Sequence, residues 1–437
     1  MRHADILITH GLIVTFDQTE TIIPDGALAI AGSDIIALGS TENLSAQFQA
    51  REQIDATQHL VTPGLINTHT HSPMALFRGL ADDLELAPWL ARMRDAARQV
   101  IRPATVARGA ELAYAEMLLG GTTTALDMYF FPETLAAVAK RVGLRLITGP
   151  VFVAHEVSDH LRADERLARG REFMQAYRAD PLVVPCVMPH SPQDVPLSLL
   201  AQAQKLADEF NALLSIHVSE TAAEVANVVA QRGALPVEFL DQLGMLSARS
   251  ILAHGIHLTD AEIARVAQRG AVIAHCPISN LKLGDGVAPV PKLLRAGVRV
   301  TLGTDGPASS NDLDLWKVVR LAAILHRGVQ QDSTLTPARQ ILRMATIDAA
   351  KALGLDDRIG SLQVGKRADL ILIDLDSPHL VPFFDAYSLL TYAVGREDVS
   401  TVLVNGQVVV RDRQLLNLNQ ADTIAAVREI AAQAATA

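Results

Sequence analysis

The chain has 437 residues, of which 49% are hydrophobic and 20% charged, and this composition excludes a disordered or fibrous protein. Lys and Arg number 38 against 48 Asp and Glu, a net charge of -10, which argues against a general nucleic-acid binder because phosphate contacts need a cationic face. Only 2 cysteines are present, so a disulfide scaffold and a cysteine-rich zinc module are excluded and a reducing compartment is favoured.

The N-terminal residues show no pattern of a targeting signal. Ile6–Thr9 is a short β-like run and not the apolar stretch of a signal peptide. No segment reaches the roughly 18 uninterrupted apolar residues of a membrane span. We therefore expect a cytoplasmic protein without a membrane or nucleic-acid partner.

Residues 1–60 are short β runs broken by turns. Two hairpins are predicted there, one from Ile6–Thr9 and Leu12–Phe16 around His10-Gly11, the other from Ala27–Ile30 and Ile35–Leu38 around Gly32-Ser33-Asp34.

The middle of the chain alternates strand-like and helix-like segments. The predicted strands are Leu65–His71, Thr122–Met128, Leu144–Pro150, Val183–His190, Leu213–Val218, Ser250–His254, Ala271–His275 and Arg299–Asp305. Helix-like stretches such as Ala104–Leu119, Ser198–Asn211, Glu220–Arg232 and Asp260–Gln268 lie between them. Eight β/α units of this kind predict a closed (β/α)₈ barrel over residues 61–360.

The C-terminal part returns to β structure. Ala368–Ile373 is predicted to be a strand, and Asn405-Gly406 between Thr401–Val404 and Gln407–Val410 is typical of a type I′ hairpin. Residues 1–60 and 361–414 each have few strands, so we expect them to form one small β-sandwich together. The Ala-rich residues 415–437 are predicted to form a C-terminal helix.

Potential metal ligands lie at the ends of the predicted barrel strands, where active sites of such barrels are found. His69 and His71 are two residues apart on a strand and therefore point to the same side. His217 is followed three residues later by Glu220, and Asp305 lies between Gly303 and Gly306, which permit a close backbone approach. Three His and one Asp from three strands predict a mononuclear hydrolytic site, with Glu220 and His254 left to handle protons.

The sequence also indicates how many metal ions the site holds and leaves the roles of two further histidines open. Residues 182–190, the fourth strand, contain no lysine to bridge two ions, so we expect one divalent metal ion. Zinc is the expected ion, and iron or manganese are alternatives. His190 is equally compatible with a position facing the same cavity and with a structural position in a loop or at a helix cap. His275 is compatible with a supporting or a packing role.

These residues stand in segments that resemble the amidohydrolase superfamily, in the branch of the methylthioadenosine/S-adenosylhomocysteine deaminases and triazine hydrolases. The segments are Pro63–His71, Asp127–Tyr129, Pro189–Pro192, Ile216–Glu220, Ser279–Gly284, Leu302–Gly306 and Gly365–Leu370. The resemblance covers nearly the whole chain.

The resemblance implies that His69, His71, His217 and Asp305 bind the metal ion. It also implies hydrolytic deamination of an aminated N-heterocycle, in which Asp305 and His254 deprotonate and orient the attacking water and Glu220 protonates a ring nitrogen. Substrate contacts are implied for Trp89, His190 and Glu220, and a homo-oligomer, a dimer or a tetramer, is expected.

The resemblance leaves the small-molecule substrate open. In the thioadenosine deaminases a Glu downstream of the Trp-Leu pair binds ribose, whereas residues 91–99 after Trp89-Leu90 contain no Glu. The adenine ring of methylthioadenosine, S-adenosylhomocysteine or adenosine is the first expectation. A triazine-type hydrolase and a guanine-like base deaminase are the alternatives.

Overall fold

The structure is a computed structural model, and it describes residues 1–84, 86–153, 159 and 161–435. Its strands form two sheets, one drawn from both ends of the chain and one from the middle. No helix among these residues is both long enough and apolar enough to cross a bilayer.

The N-terminal region contributes five strands and a short helix to the first sheet. They are β1 Arg2–Val14, β2 Ile22–Ala31, β3 Asp34–Ser40, α1 Thr41–Gln47, β4 Phe48–Asp55 and β5 His59–Pro63. The hairpin predicted around Gly32-Ser33-Asp34 is confirmed, because β2 and β3 pair antiparallel.

The hairpin predicted at His10-Gly11 is wrong, because β1 continues through both residues as one strand. His10 has a left-handed backbone with φ 63°, and the register of β1 against β2 shifts between Ile8 and Gly11. An extra residue accommodated in this way is a β-bulge, which bends a strand without reversing it. Long-range pairing of β1 with β2, β4 and β5 therefore outweighs the local turn signal.

The middle of the chain forms the second sheet, whose strands are all parallel. They are β6 Leu65–Thr70, β7 Thr122–Asp127, β8 Arg145–Thr148, β9 Val151–Phe152, β10 Val183–Pro189, β11 Leu213–Val218, β12 Ser250–His254, β13 Val272–His275 and β14 Arg299–Leu302. The order β14-β13-β12-β11-β10-β8-β7-β6, with β9 beside β10, confirms the (β/α)₈ barrel.

Helices cover the outside of this barrel. They are α2 Leu86–Val100, α3 Pro103–Leu119, α4 Pro132–Val142, α5 Ala163–Tyr177, α6 Leu197–Phe210, α7 Ala222–Arg232, α8 Pro236–Gln242, α9 Asp260–Arg269, α10 Pro277–Lys282, α11 Val290–Arg295, α12 Leu315–Gln330, α13 Ala338–Met344 and α14 Ile347–Ala352. Every residue of β6, β7 and β11 is buried, as expected for strands covered on both faces.

The last part of the chain completes the first sheet. It contains β15 Leu370–Asp374, α15 Ala386–Tyr392, β16 Val399–Val404, β17 Gln407–Arg411, β18 Gln414–Leu415 and α16 Gln420–Ala435. The Asn405-Gly406 hairpin is confirmed, since β16 and β17 pair antiparallel and both turn residues have positive φ, 51° and 76°. Strand β15 pairs with β5, which joins the two chain ends. The domain boundaries at residues 60, 360 and 414 stay a prediction.

A buried ion pair ties the two sheets together. Arg145 on β8 donates from Nε to Asp369 Oδ2 at 2.8 Å and from Nη2 to Asp369 Oδ1 at 3.0 Å. Both side chains are 2% exposed. Asp369 Oδ1 also accepts from the backbone N–H of Asn405 at 2.6 Å. The bidentate pair therefore joins the barrel to the hairpin of the terminal sheet.

Candidate metal and catalytic centre

The barrel closes at the point where several predicted site residues lie. Beyond the end of β14, the backbone N–H of Asp305 donates to the carbonyl of His69 on β6 at 3.0 Å. Thr70 Oγ1 donates to the carbonyl of Asp305 at 3.0 Å. The last strand therefore joins the first through the candidate ligands themselves.

The structure brings the four predicted metal ligands together. Asp305 Oδ1 lies 3.5 Å from His69 Nε2 and 3.3 Å from His71 Nε2. His71 Nε2 lies 3.2 Å from His217 Nε2. Carboxylate and imidazole donors of this kind suit a divalent ion such as zinc.

Backbone carbonyls set the direction of two of the imidazoles. His71 Nδ1 lies 2.6 Å from the carbonyl of Met128, and His217 Nδ1 lies 2.7 Å from the carbonyl of His190. A carbonyl oxygen can only accept, so each Nδ1 carries the proton and donates it. The Nε2 atoms of both rings are then free to bind a metal, the usual arrangement behind a ligating histidine.

This arrangement fits a bound cation. The Nε2 lone pairs of His71 and His217 face each other across 3.2 Å, and neither nitrogen carries a proton to share in the neutral rings. His69 is fully buried, and neither its Nε2 nor its Nδ1 has a hydrogen-bond partner among the described residues. A divalent ion would convert these opposed and unpaired lone pairs into bonds.

Asp305 is held by hydroxyl groups on one side only. Ser279 Oγ and Ser309 Oγ each donate to Asp305 Oδ2 at 2.6 Å, which leaves Oδ1 facing the imidazoles. A Cβ on Gly303 would lie 2.9 Å from the Cβ and the carbonyl oxygen of His69, and a Cβ on Gly306 would lie 3.2 Å from His71 Cβ. The flanking glycines therefore let Asp305 approach the histidines closely.

The pKa values of these groups shift in different directions: burial alone would lower that of His71, but the neighbouring Asp305 raises it. Burial lowers the pKa of His69 to about 4, so its imidazole is neutral near pH 7. Burial alone would raise the pKa of Asp305, but the neighbouring imidazoles of His69 and His71 lower it well below the ordinary value. Neutral imidazoles and an ionised carboxylate are the forms that bind metal ions.

Two further titratable groups lie beside this cluster. Glu220 Oε1 is 3.5 Å from His254 Nε2. Burial, with the charges of Asp305 and Glu224, raises the pKa of Glu220 to about 8, whereas burial lowers the pKa of His254 to about 4. Glu220 is thus able to exchange a proton near neutral pH.

The backbone around Glu220 and His254 is constrained. Ser219, His254 and Asp305 all have left-handed conformations, with φ of 52°, 72° and 60°. The Glu224 carboxylate accepts from the backbone N–H groups of Ser219 at 3.1 Å and Glu220 at 2.7 Å. Non-glycine residues in this conformation are strained, and such strain is concentrated at functional sites.

A pocket of about 290 Å³ opens onto these groups. Its polar side includes His190 and Asp194, and one apolar wall consists of Trp89, Leu90, Met128, Phe130 and Val151. His190 Nδ1 lies 3.0 Å from Asp194 Oδ2, which fixes the ring at the rim. Trp89 and His190, the predicted substrate contacts, therefore line the same pocket as Glu220.

His275 does not join the cluster. Its ring centroid lies 5.7 Å from that of His326 on α12, with the two rings tilted by 37°. Sequence reasoning also gave no role to Ser279 and Asn280, although their segment was recognised. Asn280 Nδ2 donates to His254 Nδ1 at 2.9 Å, a contact between α10 and β12 that no local pattern indicates.

Comparison with known proteins gives consistent matches along the chain. The model of the amidohydrolase family matches residues 60–409. The chain is 40% identical over 428 residues to a 5-methylthioadenosine/S-adenosylhomocysteine deaminase of Syntrophobacter fumaroxidans, covering 98% of both chains.

Two solved structures are similar over almost the whole chain. An adenosine deaminase from Xanthomonas campestris with bound zinc has a TM-score of 0.97, 39% identity and coverage of 100% of both chains. The atrazine chlorohydrolase of Arthrobacter aurescens TC1, complexed with zinc, has a TM-score of 0.90 and 27% identity, covering 98% of this chain and 100% of that one.

Proposed function

Because the chain belongs to the amidohydrolase family, we propose that it removes the amino group from the adenine ring of a nucleoside and releases ammonia. It is a hydrolase of carbon–nitrogen bonds other than peptide bonds. The observation that carries the proposal is the pair formed by Glu220 and His254, 3.5 Å apart beside the four convergent side chains that we propose as metal ligands. The nucleoside is supported by the relative that is 40% identical over 98% of both chains.

We propose zinc as the ion, held by His69, His71, His217 and Asp305. Zinc in two similar structures and the donor set of this chain support that choice. A bound divalent ion supplies a water molecule whose pKa is lowered to about 7.

The chain's own residues then carry the protons. Asp305 accepts a proton from the attacking water, and His254 orients that water. Glu220 in its protonated form donates to the ring nitrogen next to the amino-bearing carbon, which makes this carbon electrophilic. After the oxygen has added, its remaining proton passes to Glu220. The proton on Asp305 passes to the amino group, which leaves as ammonia.

The pocket holds the heterocycle for this reaction. Trp89 and Phe130 offer aromatic surface for a purine, and His190 at the rim is placed to contact the sugar. Leu90, Met128 and Val151, which line the same pocket, offer apolar surface for the part of the nucleoside beyond the sugar.

A substrate screen with ammonia detection tests this proposal. Methylthioadenosine, S-adenosylhomocysteine, adenosine and guanine are each offered to zinc-loaded protein. We expect ammonia with at least one adenine nucleoside, and none from Glu220→Gln protein that still binds about one ion per chain. Wild-type turnover by Glu220→Gln would contradict the role of Glu220.

A triazine-type hydrolase is the second candidate. The fold of the atrazine chlorohydrolase, at a TM-score of 0.90, and the absence of Glu from residues 91–99 favour it. Its identity of 27% is lower than the 40% of the nucleoside deaminase. Chloride release from atrazine, followed with an ion-selective electrode, separates the two activities.

Two further properties are proposals. We propose a homo-oligomer, which light scattering of the purified protein tests. A cytoplasmic location is supported by Cys186 and Cys276, which are both buried free thiols.

A further inference from the structure

Four imidazoles converge on the candidate centre, yet only three of them belong to the proposed metal ligands. The centroid of the His69 ring lies 4.8 Å from those of His71 and His217 and 5.4 Å from that of His254. One nitrogen from each of His69, His217 and His254 lies within 4.8 Å of the others. Distance alone therefore does not exclude His254 from the metal.

The group behind each ring distinguishes His254 from the others. His71 and His217 have carbonyl oxygens behind Nδ1, and a carbonyl only accepts, so Nε2 is left without a proton. His254 has the amide nitrogen of Asn280 at 2.9 Å from Nδ1, and an amide nitrogen only donates. Nδ1 of His254 is therefore the acceptor, and in the neutral ring the proton is on Nε2.

The orientation of the Asn280 amide is consistent with this assignment. Asn280 is 1% exposed, and its Oδ1 has no hydrogen-bond partner among the described residues. The observed orientation gives Nδ2 of Asn280 an acceptor, His254 Nδ1, at a buried position where an unpaired N–H group is costly.

We propose that Asn280 is a positioning residue that holds His254 as the Nε2–H tautomer, and this proposal rests on the proposed function. In this form His254 has no lone pair for the metal ion. It instead presents an N–H toward Glu220 and the attacking water. His254 is then a hydrogen-bond donor that orients the water, and it is not the base.

Helix α10 also holds Asp305, the residue that acts as the base in place of His254. Ser279, the neighbour of Asn280 on α10, donates to Asp305 Oδ2 at 2.6 Å. Adjacent residues of α10 therefore hold His254 and Asp305 from behind, each through the atom that faces away from the centre. This division leaves Asp305 Oδ1 as the proton acceptor and His254 Nε2 as the donor.

Nitrogen NMR of the zinc-loaded full-length protein, labelled with ¹⁵N in histidine, tests the tautomer without any substrate. The His254 signals are assigned by their loss in His254→Gln protein. We expect a bare Nδ1 and a protonated Nε2 for His254. A proton on Nδ1 would overturn the proposal, whether or not the chain deaminates a nucleoside, and an absence of nucleoside turnover would overturn only the proposed function.

Kinetics of two variants provide a second readout. Asn280→Leu removes the donor, and Asn280→Asp keeps the size of the side chain but turns a donor into an acceptor that draws the proton to Nδ1. We expect each to lower kcat by about 100-fold, with KM changed less than about threefold and about one ion per chain retained.

A matched control comes from the same helix. Leu281 is 40% exposed on α10, so Leu281→Ala disturbs that helix without touching His254, and we expect its kcat to be unchanged. Wild-type kcat in Asn280→Asp protein would contradict the proposal. So would coordination of the metal ion by His254 in wild-type protein.

Discussion

Replacing Glu220 by Gln should stabilise the metal-free protein while it abolishes activity. The Glu220 side chain is 26% exposed and lies beside the carboxylates of Asp305 and Glu224. Burial and these charges raise its pKa from 4.5 to about 8. Glutamine has nearly the same shape and carries no charge, so the substitution removes the cost of an ionised carboxylate at this position.

The size of this stabilisation follows from the coupling between proton binding and folding. Between pH 4.5 and about 8 the folded chain keeps a proton on Glu220 that the unfolded chain has lost, so folding stability falls as the pH rises through this window. A pKa difference from 4.5 to about 8 corresponds to about 5 kcal/mol. Because a quarter of the side chain is in contact with solvent, screening reduces this cost, and we expect a gain of about 2 kcal/mol for Glu220→Gln at pH 8.

Denaturation of metal-free wild type and Glu220→Gln at pH 5 and pH 8 measures this effect. The matched control is Glu172→Gln, an exposed carboxylate on α5, for which no pH-dependent gain is expected. A gain for Glu220→Gln that is equal at both pH values, or a loss at pH 8, would refute the electrostatic reasoning. Ammonia assays on the zinc-loaded variant should show kcat reduced by about 10² or more.

Four other predictions concern the ligands, the ion pair, the pH profile and the pocket. Asp305→Asn should weaken zinc binding at least about 10-fold in a competition titration with a chelator, and unchanged affinity would argue against ligation. Arg145→Met should lower the free energy of unfolding by about 3–5 kcal/mol, because Asp369 is left buried without its partner, with KM unchanged; a loss below about 1 kcal/mol would show that the pair does not tie the sheets. The value of kcat should fall as the pH rises and Glu220, whose pKa is raised by burial, loses the proton that it donates, and a kcat that does not fall with rising pH would show that another group donates this proton. Trp89→Ala should raise KM about 10-fold with little effect on kcat, since apolar contact binds ground and transition states alike, and a change in kcat alone would contradict this.

Periodicity is enough to predict the barrel, and strand-end chemistry is enough to predict which side chains converge at its centre. His69 and His71 lie on one strand with one intervening residue, so their common direction follows from strand geometry. The predicted strand ends at Val218 and His254 are correct, whereas those at His71, Met128 and Asp305 lie beyond the observed ends. The last barrel strand ends at Leu302 and not at Asp305, because Gly303 packs against His69 and Asp305 is left-handed.

Features that depend on distant partners could not be predicted from local patterns. His10-Gly11 has the composition of a turn, but pairing with β2 on one side and β4 on the other holds it inside a strand. The contact between Asn280 and His254 joins residues that are 26 positions apart. Asn280 lies in the segment Ser279–Gly284, which resembles the family, yet only the fold shows that its side chain contacts Nδ1 of His254.

Anomalous diffraction from zinc-loaded crystals, recorded at the zinc absorption edge, tests the central claim most directly. The account predicts one peak per chain, at about 2.0–2.2 Å from the Nε2 atoms of His69, His71 and His217 and from Asp305 Oδ1. A cluster without a peak, or a peak bound by other side chains, would contradict it.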